Sequence, residues 1–176
     1  MGEPDFIPFN ANPPGRDGRR FVTTRRRITV PEEIAPRMFE IPYSKDFVIS
    51  PDTTVELACA QNGVVQRDMG NGYCWYHLPI RVVAGEEVAV SLCFNGDILF
   101  SIELALQNHD RYGSSWATFS EDQETRRARD TIEWMNAFGL KLGEYDWGSI
   151  SGGYDPRSAS GGVHIYLKNN GEQGAP

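Results

Sequence analysis

Residues 64–106 decide the fold, and they read VVQRDMGNGYCWYHLPIRVVAGEEVAVSLCFNGDILFSIELAL. Gly70-Asn71-Gly72 and Asn95-Gly96-Asp97 each separate two runs that are rich in β-branched and aromatic residues. A Gly/Asn turn between two such runs is a strong signal for a β-hairpin. The segment therefore predicts two consecutive hairpins, which contribute four antiparallel strands.

The second hairpin also predicts which side chains face the core, because alternate residues along a strand share a face. The apolar sets are Val88, Val90, Leu92 and Phe94 in the first strand and Ile98, Phe100, Ile102, Leu104 and Leu106 in the second. Glu103 falls on the opposite, wetter face together with Ser101. The pattern is typical of an antiparallel sheet with one buried face.

Two helices are predicted on either side of these hairpins. Residues 120–139, SEDQETRRARDTIEWMNAFG, carry apolar residues at helical spacing. Ser120 fits the N-cap, Gln123 completes a capping box, and Gly139 ends the helix. A shorter helix over residues 52–62 is predicted between a Ser50 cap and Gly63.

Strands precede and follow this central part. MFEIPY (38–43) alternates apolar and polar residues, and YDWGSI (145–150) and VHIYLK (163–168) are also strand-like. SGGYDPRSASGG (151–162) is predicted to be a glycine-rich connection between the last two strands. The order of elements predicts an α+β fold, with a mostly antiparallel sheet of about six to seven strands and two helices.

We expect one domain over residues 38–168, with a segment at each end. Residues 1–37 contain six prolines and seven arginines, and we expect this segment to be partly disordered, with an edge strand over 21–30. Residues 169–176 are expected to form a flexible end. The triplet Arg25-Arg26-Arg27 fits a contact with nucleic acid or an acidic partner, and it equally fits a charged edge strand or pairing with the acidic body.

The charge balance argues against two classes of partner. The chain has 17 Lys and Arg against 24 Asp and Glu, a net charge of -7. Direct binding to nucleic acid or to anionic membranes is therefore not expected. No signal peptide or apolar span is apparent, and the three cysteines are an odd number, so we expect a cytoplasmic protein with reduced thiols in its core.

The chain shows no catalytic or cofactor signature. His77, His109 and His164 form no HxH or HExxH pattern and no pairing with cysteine. Phosphate-loop, dinucleotide-binding and nucleophile-elbow motifs are also missing from the sequence. We therefore expect a protein that is not an enzyme and that needs neither a metal nor a cofactor.

A cluster of acids and aromatic residues near the C-terminus is the candidate for binding a partner. Its members are Glu144, Tyr145, Asp146, Trp147, Tyr154 and Asp155. Aromatic side chains beside carboxylates are typical of anchors in protein interfaces. The alternative is that the aromatic rings pack inward as part of the core.

Three stretches resemble bacterial immunity proteins, including those that act against type VI secretion effectors. They are DMGNGYCWY (68–76), VSLCFNGDILFSIELAL (90–106) and YDWGSISGGYDPRSASGGVHIYL (145–167). The resemblance implies a small α+β protein that binds and blocks a cognate toxin without chemistry of its own. It assigns no functional residue.

Three functional hypotheses follow, the third of which is a structural or adaptor component that uses its N-terminal segment. The first is a cytoplasmic immunity protein that neutralises an interbacterial toxin, with a basic nuclease as the preferred target because an acidic surface attracts a basic one. The alternative is a small-ligand-binding protein or an enzyme, with a pocket near Trp75, His77 and the 152–162 loop.

Overall fold

The computed structural model describes residues 39–113 and 116–168. The strands are β1 (Ile41–Ser44), β2 (Phe47–Ile49), β3 (Val65–Asp68), β4 (Tyr73–His77), β5 (Arg81–Val83), β6 (Glu86–Asn95), β7 (Ile98–Leu106), β8 (Gly143–Tyr145), β9 (Gly148–Asp155) and β10 (Ser160–Leu167). The α-helices are α1 (Val55–Cys59), α2 (His109–Tyr112) and α3 (Glu121–Met135). The predictions for residues 1–37 and 169–176, including the arginine triplet, lie outside the described residues.

Eight strands form one antiparallel sheet in the order β3-β4-β6-β7-β10-β9-β8, and β5 pairs with β6 beyond the end of β4. Strands β1 and β2 form a separate antiparallel hairpin. The predicted α+β class with a mainly antiparallel sheet is confirmed. More strands and helices are present than predicted, because the additional elements have only three or four residues and are too short to show a clear period.

Both predicted hairpins form, as β3–β4 and β6–β7. In the second hairpin, a β-bulge at Cys93/Phe94 shifts the register by one residue. Phe100 was predicted on the core face, but it contacts the rings of Tyr73 and Tyr166 on the opposite face. The extra residue of a bulge moves the following side chain across the sheet, which explains this error.

The hydrophobic core lies on one face of the sheet. Helix α3 packs on this face against β9, β10 and β7, and it buries Ala128, Trp134 and Met135. The indole N–H of Trp134 donates to the carbonyl of Val83 at 3.1 Å, which joins the end of α3 to β5. Apolar residues of the β1–β2 hairpin belong to the same buried cluster. The opposite face of the sheet is left half-exposed.

Helix α3 begins where it was predicted, but the predicted capping box is wrong. Ser120 has extended backbone geometry, and its side chain makes no capping hydrogen bond. Gln123 Oε1 is buried and has no hydrogen-bond partner among the described residues. The start of α3 is therefore stabilised by packing on the sheet rather than by reciprocal side-chain caps.

The first predicted helix is shorter than expected. Helix α1 covers only Val55–Cys59, and its cap is Thr54 rather than Ser50. Thr54 Oγ1 accepts a hydrogen bond from the Leu57 amide at 3.4 Å. Ser50 instead closes a preceding turn, in which its carbonyl accepts from the Thr53 amide at 3.1 Å.

The predicted connection over 151–162 is mostly strand. Strands β9 and β10 continue through it, and only residues 156–159 form the turn between them. Other backbone comes close to two of its glycines: a Cβ on Gly161 would overlap the carbonyl oxygen of Glu124 in α3, and a Cβ on Gly162 would meet the carbonyl oxygen of Leu104 in β7 at 2.7 Å. Glycine in this stretch therefore marks close packing of helix on sheet and not a loop.

The three cysteines were predicted to lie in the core. Cys93 is buried and Cys74 half-buried, but Cys59 is exposed, so the prediction of three core cysteines is wrong for Cys59. Burial raises the pKa of the Cys93 thiol.

The longest helix in the described residues, α3, has 15 residues and many charges, so none of the described helices could span a bilayer.

Candidate functional site

Two of the predicted partner-binding residues are exposed acids near the turn between β8 and β9. Glu144 lies in β8, opposite Ser149, and Asp146 lies in the two-residue turn itself. Neither carboxylate has an ion pair with a described residue. These two acids are therefore available to a partner.

The aromatic residues of the same turn pack inward instead. Tyr145 is 4% exposed, and its hydroxyl donates to the carbonyl of Lys141 at 2.6 Å. Trp147 is half-buried, stacks on Tyr145 at 4.7 Å and contacts the Phe39 ring at 5.0 Å. Tyr145 is thus a core residue and not a surface anchor, which is the alternative that the sequence left open.

Tyr154 and Asp155 do not join this turn, contrary to the expectation of one cluster. They lie at the other end of β9, which separates them from its start by roughly 23 Å at about 3.3 Å per residue. Asp155 also has a local role, since its carboxylate accepts from the Arg157 amide at 2.9 Å and from the Ser158 hydroxyl at 3.1 Å. These hydrogen bonds, the Arg157 amide first, lower the pKa of Asp155.

The pocket predicted near Trp75, His77 and residues 152–162 is not formed by those residues together. Strands β6, β7 and β10 separate β4 from β9, so His77 lies roughly 19 Å from β9 at about 4.8 Å per strand. Trp75 and His77 instead belong to a continuous surface on the half-exposed side of the sheet. We call this surface the open face, and it comprises Tyr73, Trp75, His77, Ser91, Phe100, Glu103, His164 and Tyr166.

A polar row crosses the centre of the open face. Strand register places His77 opposite Ser91, Ser91 opposite Glu103, and Glu103 opposite His164. His77 Nδ1 lies 2.8 Å from Ser91 Oγ, and His164 Nδ1 lies 3.4 Å from Glu103 Oε1. The hydrogen bond to Glu103 raises the pKa of His164 above its ordinary value, against the opposing effect of burial.

Two pairs of stacked rings stand on either side of this row. Trp75 and His77 on β4 are stacked at 6.3 Å, and His164 and Tyr166 on β10 are stacked at 6.2 Å. Between the two pairs, β6 and β7 carry the small residues Ser91, Cys93, Ser101 and Ala105 on this face. Large side chains on the outer strands and small ones at these inner positions form a trough with Glu103 on its floor, and the Phe100 ring of β7 bounds one end of it.

Two cavities meet at one end of the sheet. A cavity of about 210 Å³ continues the trough and is lined by Ala89, Ser91, Glu103 and His164 among others. A second cavity of about 370 Å³ lies between α2, α3 and the β9–β10 turn. Gln107, Arg127 and Ser160 line both, so the two cavities are neighbours across Arg127.

The side chains around Arg127 form a buried ion-pair network. Arg127 Nη1 donates to Glu124 Oε2 at 2.9 Å, and the same oxygen accepts from the Gly161 amide at 2.8 Å. The guanidinium lies over the Tyr112 ring at 5.2 Å, and the Tyr112 hydroxyl donates to Asp130 Oδ2 at 2.9 Å. Burial first, and then this hydrogen bond, raise the pKa of Tyr112 to about 12. The network therefore stabilises the fold at this end of α3.

Most open-face residues were missed as a site by the sequence analysis, although one signal was present. Tyr73, Trp75 and His77 alternate along one strand, as do His164 and Tyr166 along another, so each set shares a face. What the sequence does not contain is the strand order that brings β4 and β10 to either side of β6 and β7. Within the described ranges, no group of three or more His, Cys, Asp or Glu is arranged to hold a metal ion.

Comparison of the chain with protein-family models, with curated proteins and with solved structures found no match.

Proposed function

We propose that this chain is a non-enzymatic immunity protein, which binds a cognate interbacterial toxin in the cytoplasm and neutralises it. The observation that carries the proposal is the open face, where ring side chains stand half-exposed over a sheet that carries its core on the other side. Tryptophan, tyrosine and phenylalanine are enriched in protein interfaces because a single ring buries a large area. This arrangement supports binding of a protein surface rather than catalysis.

The charge of the body supports a basic partner. The described residues contain eighteen Asp and Glu against ten Lys and Arg. A negative surface speeds encounter with a positive one and repels other acidic proteins. Nucleases are a fitting class of target, because an enzyme that acts on a polyanion carries a basic surface.

The exposed polar groups of the open face give little support to catalysis. Ser91 and His77 are within hydrogen-bond distance, as a nucleophile and a base would be. Both lie within regular antiparallel pairing, where neighbouring backbone N–H groups serve the sheet ladder and are not converged on an oxyanion position. We therefore assign this pair a structural and contact role.

A growth assay tests the proposal. The gene adjacent to the one for this chain is expressed from an inducible promoter, with and without the chain. We expect arrested growth that the chain restores, and a saturable binding signal between the two purified proteins by calorimetry. As a control, a Trp75→Ala/Tyr166→Ala variant that melts like the wild type is expected to restore growth poorly. A neighbouring metabolic gene, or a toxin that the chain neither binds nor neutralises, contradicts the proposal.

One observation favours the alternative of a small-ligand-binding protein or enzyme, at a place other than the one predicted. The cavity of about 370 Å³ is within the range of small-molecule sites, and it is lined by Phe119, His109 and Arg127 among others. Thermal unfolding with citrate and with inorganic phosphate tests it. A rise in melting temperature that depends on concentration and is lost on His109→Ala supports this second candidate.

A further inference from the structure

Glu103 is paired with a histidine, whereas two ion-paired acids of α3 are paired with arginines. Glu124 has the permanently charged Arg127 at 2.9 Å, and Asp130 has Arg111 at 3.5 Å. The only ion-pair partner of Glu103 among the described residues is the His164 imidazole at 3.4 Å. Its side chain is 44% exposed, so the carboxylate can be reached from solvent.

The surroundings of Glu103 fit one kind of side chain. The trough floor is lined by Ser91 and Ala105, which leave space. The stacked rings of His164 and Tyr166 on the adjacent strand β10 stand beside Glu103, whereas the rings of β4 lie two strand spacings, roughly 10 Å, away. A planar guanidinium stacks on aromatic rings and donates two parallel hydrogen bonds to a carboxylate. A lysine ammonium shares the charge but not the planar fork.

We propose that the trough of the open face binds an arginine side chain of the partner protein, with Glu103 as its acceptor and the His164–Tyr166 ring pair of β10 beside it. This inference rests on the proposed function and names the contact that the toxin surface supplies. The arginine is the kind of central, partly desolvated anchor that dominates interface energies. The negative body steers the basic partner, and the trough fixes its position.

Binding of the arginine displaces His164 from Glu103, which makes the affinity depend on pH. Protonated His164 both occupies the carboxylate and repels the incoming guanidinium. The charged groups that face this pair are Asp155 on β9 and Arg127 on α3, and His77 lies across Ser91 on β4. Since the His164 proton is lost as pH rises through its raised pKa, affinity for arginine is expected to increase in that direction.

The test uses the folded chain and N-acetyl-arginine amide as the probe, followed by NMR titration. We expect concentration-dependent shifts at Glu103, His164 and Tyr166 and weaker ones with N-acetyl-lysine amide. Glu103→Gln is expected to weaken probe binding at least about fivefold, whereas the matched Glu144→Gln at the β8–β9 turn leaves it nearly unchanged. Equal effects of the two variants, or shifts spread over the exposed acids in general, overturn the inference.

Two further variants test the inference without changing Glu103. Ala89→Leu fills the trough without a change of charge and is expected to block the probe. His164→Asn is expected to keep arginine binding while removing its increase as pH rises through the raised pKa of His164. If the toxin is neutralised but the probe fails to bind, the inference alone is wrong. If the probe binds but the adjacent gene product is not neutralised, the proposed function is the part that fails.

Discussion

The backbone of Glu124 in α3 lies directly against Gly161 in β10. The Gly161 amide donates to the Glu124 carboxylate at 2.8 Å, and a Cβ on Gly161 would overlap the Glu124 carbonyl oxygen. The absence of a side chain at position 161 is therefore what allows α3 to approach the sheet closely enough for this hydrogen bond. The same contact sets the position of Arg127, one turn further along the helix.

Gly161→Ala is accordingly expected to be strongly destabilising. The new methyl group meets the main chain of α3 at Glu124 and Ala128, and the helix cannot move away from the strand without loss of packing. We expect a loss of about 3 kcal/mol or more in the free energy of unfolding. For a domain of this size the melting temperature then falls by roughly 6–12 °C, which circular dichroism measures directly.

Gly152→Ala is the matched control for this effect. Gly152 lies in β9 beneath the same helix, but its Cβ would meet the side chains of Ile132 at 3.0 Å and Val163 at 3.1 Å rather than backbone. Side chains can shift by a few tenths of an ångström, so we expect a loss of about 1 kcal/mol. A loss equal to that of Gly161→Ala would show that close backbone approach is not the cause.

These glycines explain why part of the fold was predictable and part was not. In residues 64–106 the turn signals agree with the alternation of apolar and polar residues, so the two antiparallel hairpins could be predicted. Residues 151–162 have glycines that local rules assign to a loop, yet Gly152 and Gly161 are packed beneath α3, a helix that is distant in sequence. Phe100 was misplaced for a similar reason, because nothing local marks the bulge at Cys93/Phe94.

The ion pair between Arg127 and Glu124 gives a second prediction. Arg127→Met leaves the Glu124 carboxylate buried without its cation, since the two side chains are only 15% and 8% exposed. Removal of one member of a buried pair costs about 3–5 kcal/mol. We expect a correspondingly lower denaturation midpoint in urea, with an unchanged slope if the native state stays compact.

A second substitution separates lost charge pairing from lost packing. Adding Glu124→Gln to Arg127→Met removes the unpaired charge, and the amide oxygen of glutamine still accepts from Gly161. We expect the double variant to be more stable than Arg127→Met alone. A double variant that is less stable than either single variant would mean that the side chains contribute by packing and that the charges are secondary.

The features of the candidate site that depend on neighbouring residues could be predicted from the sequence, and those that depend on distant parts of the chain could not. Exposure of Glu144 and Asp146 could be predicted, because a turn between short strands places its polar residues in solvent. The inward packing of Tyr145 could not, since Tyr145 stacks on Trp147, whose ring in turn contacts Phe39 from a distant part of the chain. The trough around Glu103 depends on the order of four strands, which no single segment encodes.

The three thiols are expected to react at different rates. Cys59 at the end of α1 is exposed, whereas Cys93 is buried and its burial raises the pKa of the thiol. Because the thiolate is the reactive species, a thiol reagent such as Ellman's reagent should modify Cys59 rapidly and Cys93 only after denaturation. Cys59→Ser is expected to remove the fast phase. A fast phase that persists in this variant would place Cys74 or Cys93 at the surface.

The exposed acids at the β8–β9 turn give the last prediction, which concerns the toxin itself. Glu144→Lys with Asp146→Lys reverses two charges that have no ion pair with the described residues. If the partner is basic, we expect at least a tenfold loss of affinity, about 1.4 kcal/mol, mostly through slower association. Thermal stability should change by no more than about 0.5 kcal/mol, because both side chains are exposed.

The control for this prediction makes the same change in net charge at another place on the surface, so that the effect of position is separated from the effect of total charge. Glu40→Lys with Asp46→Lys alters two exposed acids at the β1–β2 hairpin. Strand register connects Glu144 to the open face through Ser149 and Tyr166, whereas the β1–β2 hairpin packs into the core on the other side of the sheet. The control is therefore expected to slow association less at low salt. Equal losses of toxin affinity in the two double variants would mean that only the net charge of the protein matters. Unchanged affinity in the Glu144→Lys/Asp146→Lys variant would mean that the toxin contacts the trough and not the β8–β9 turn.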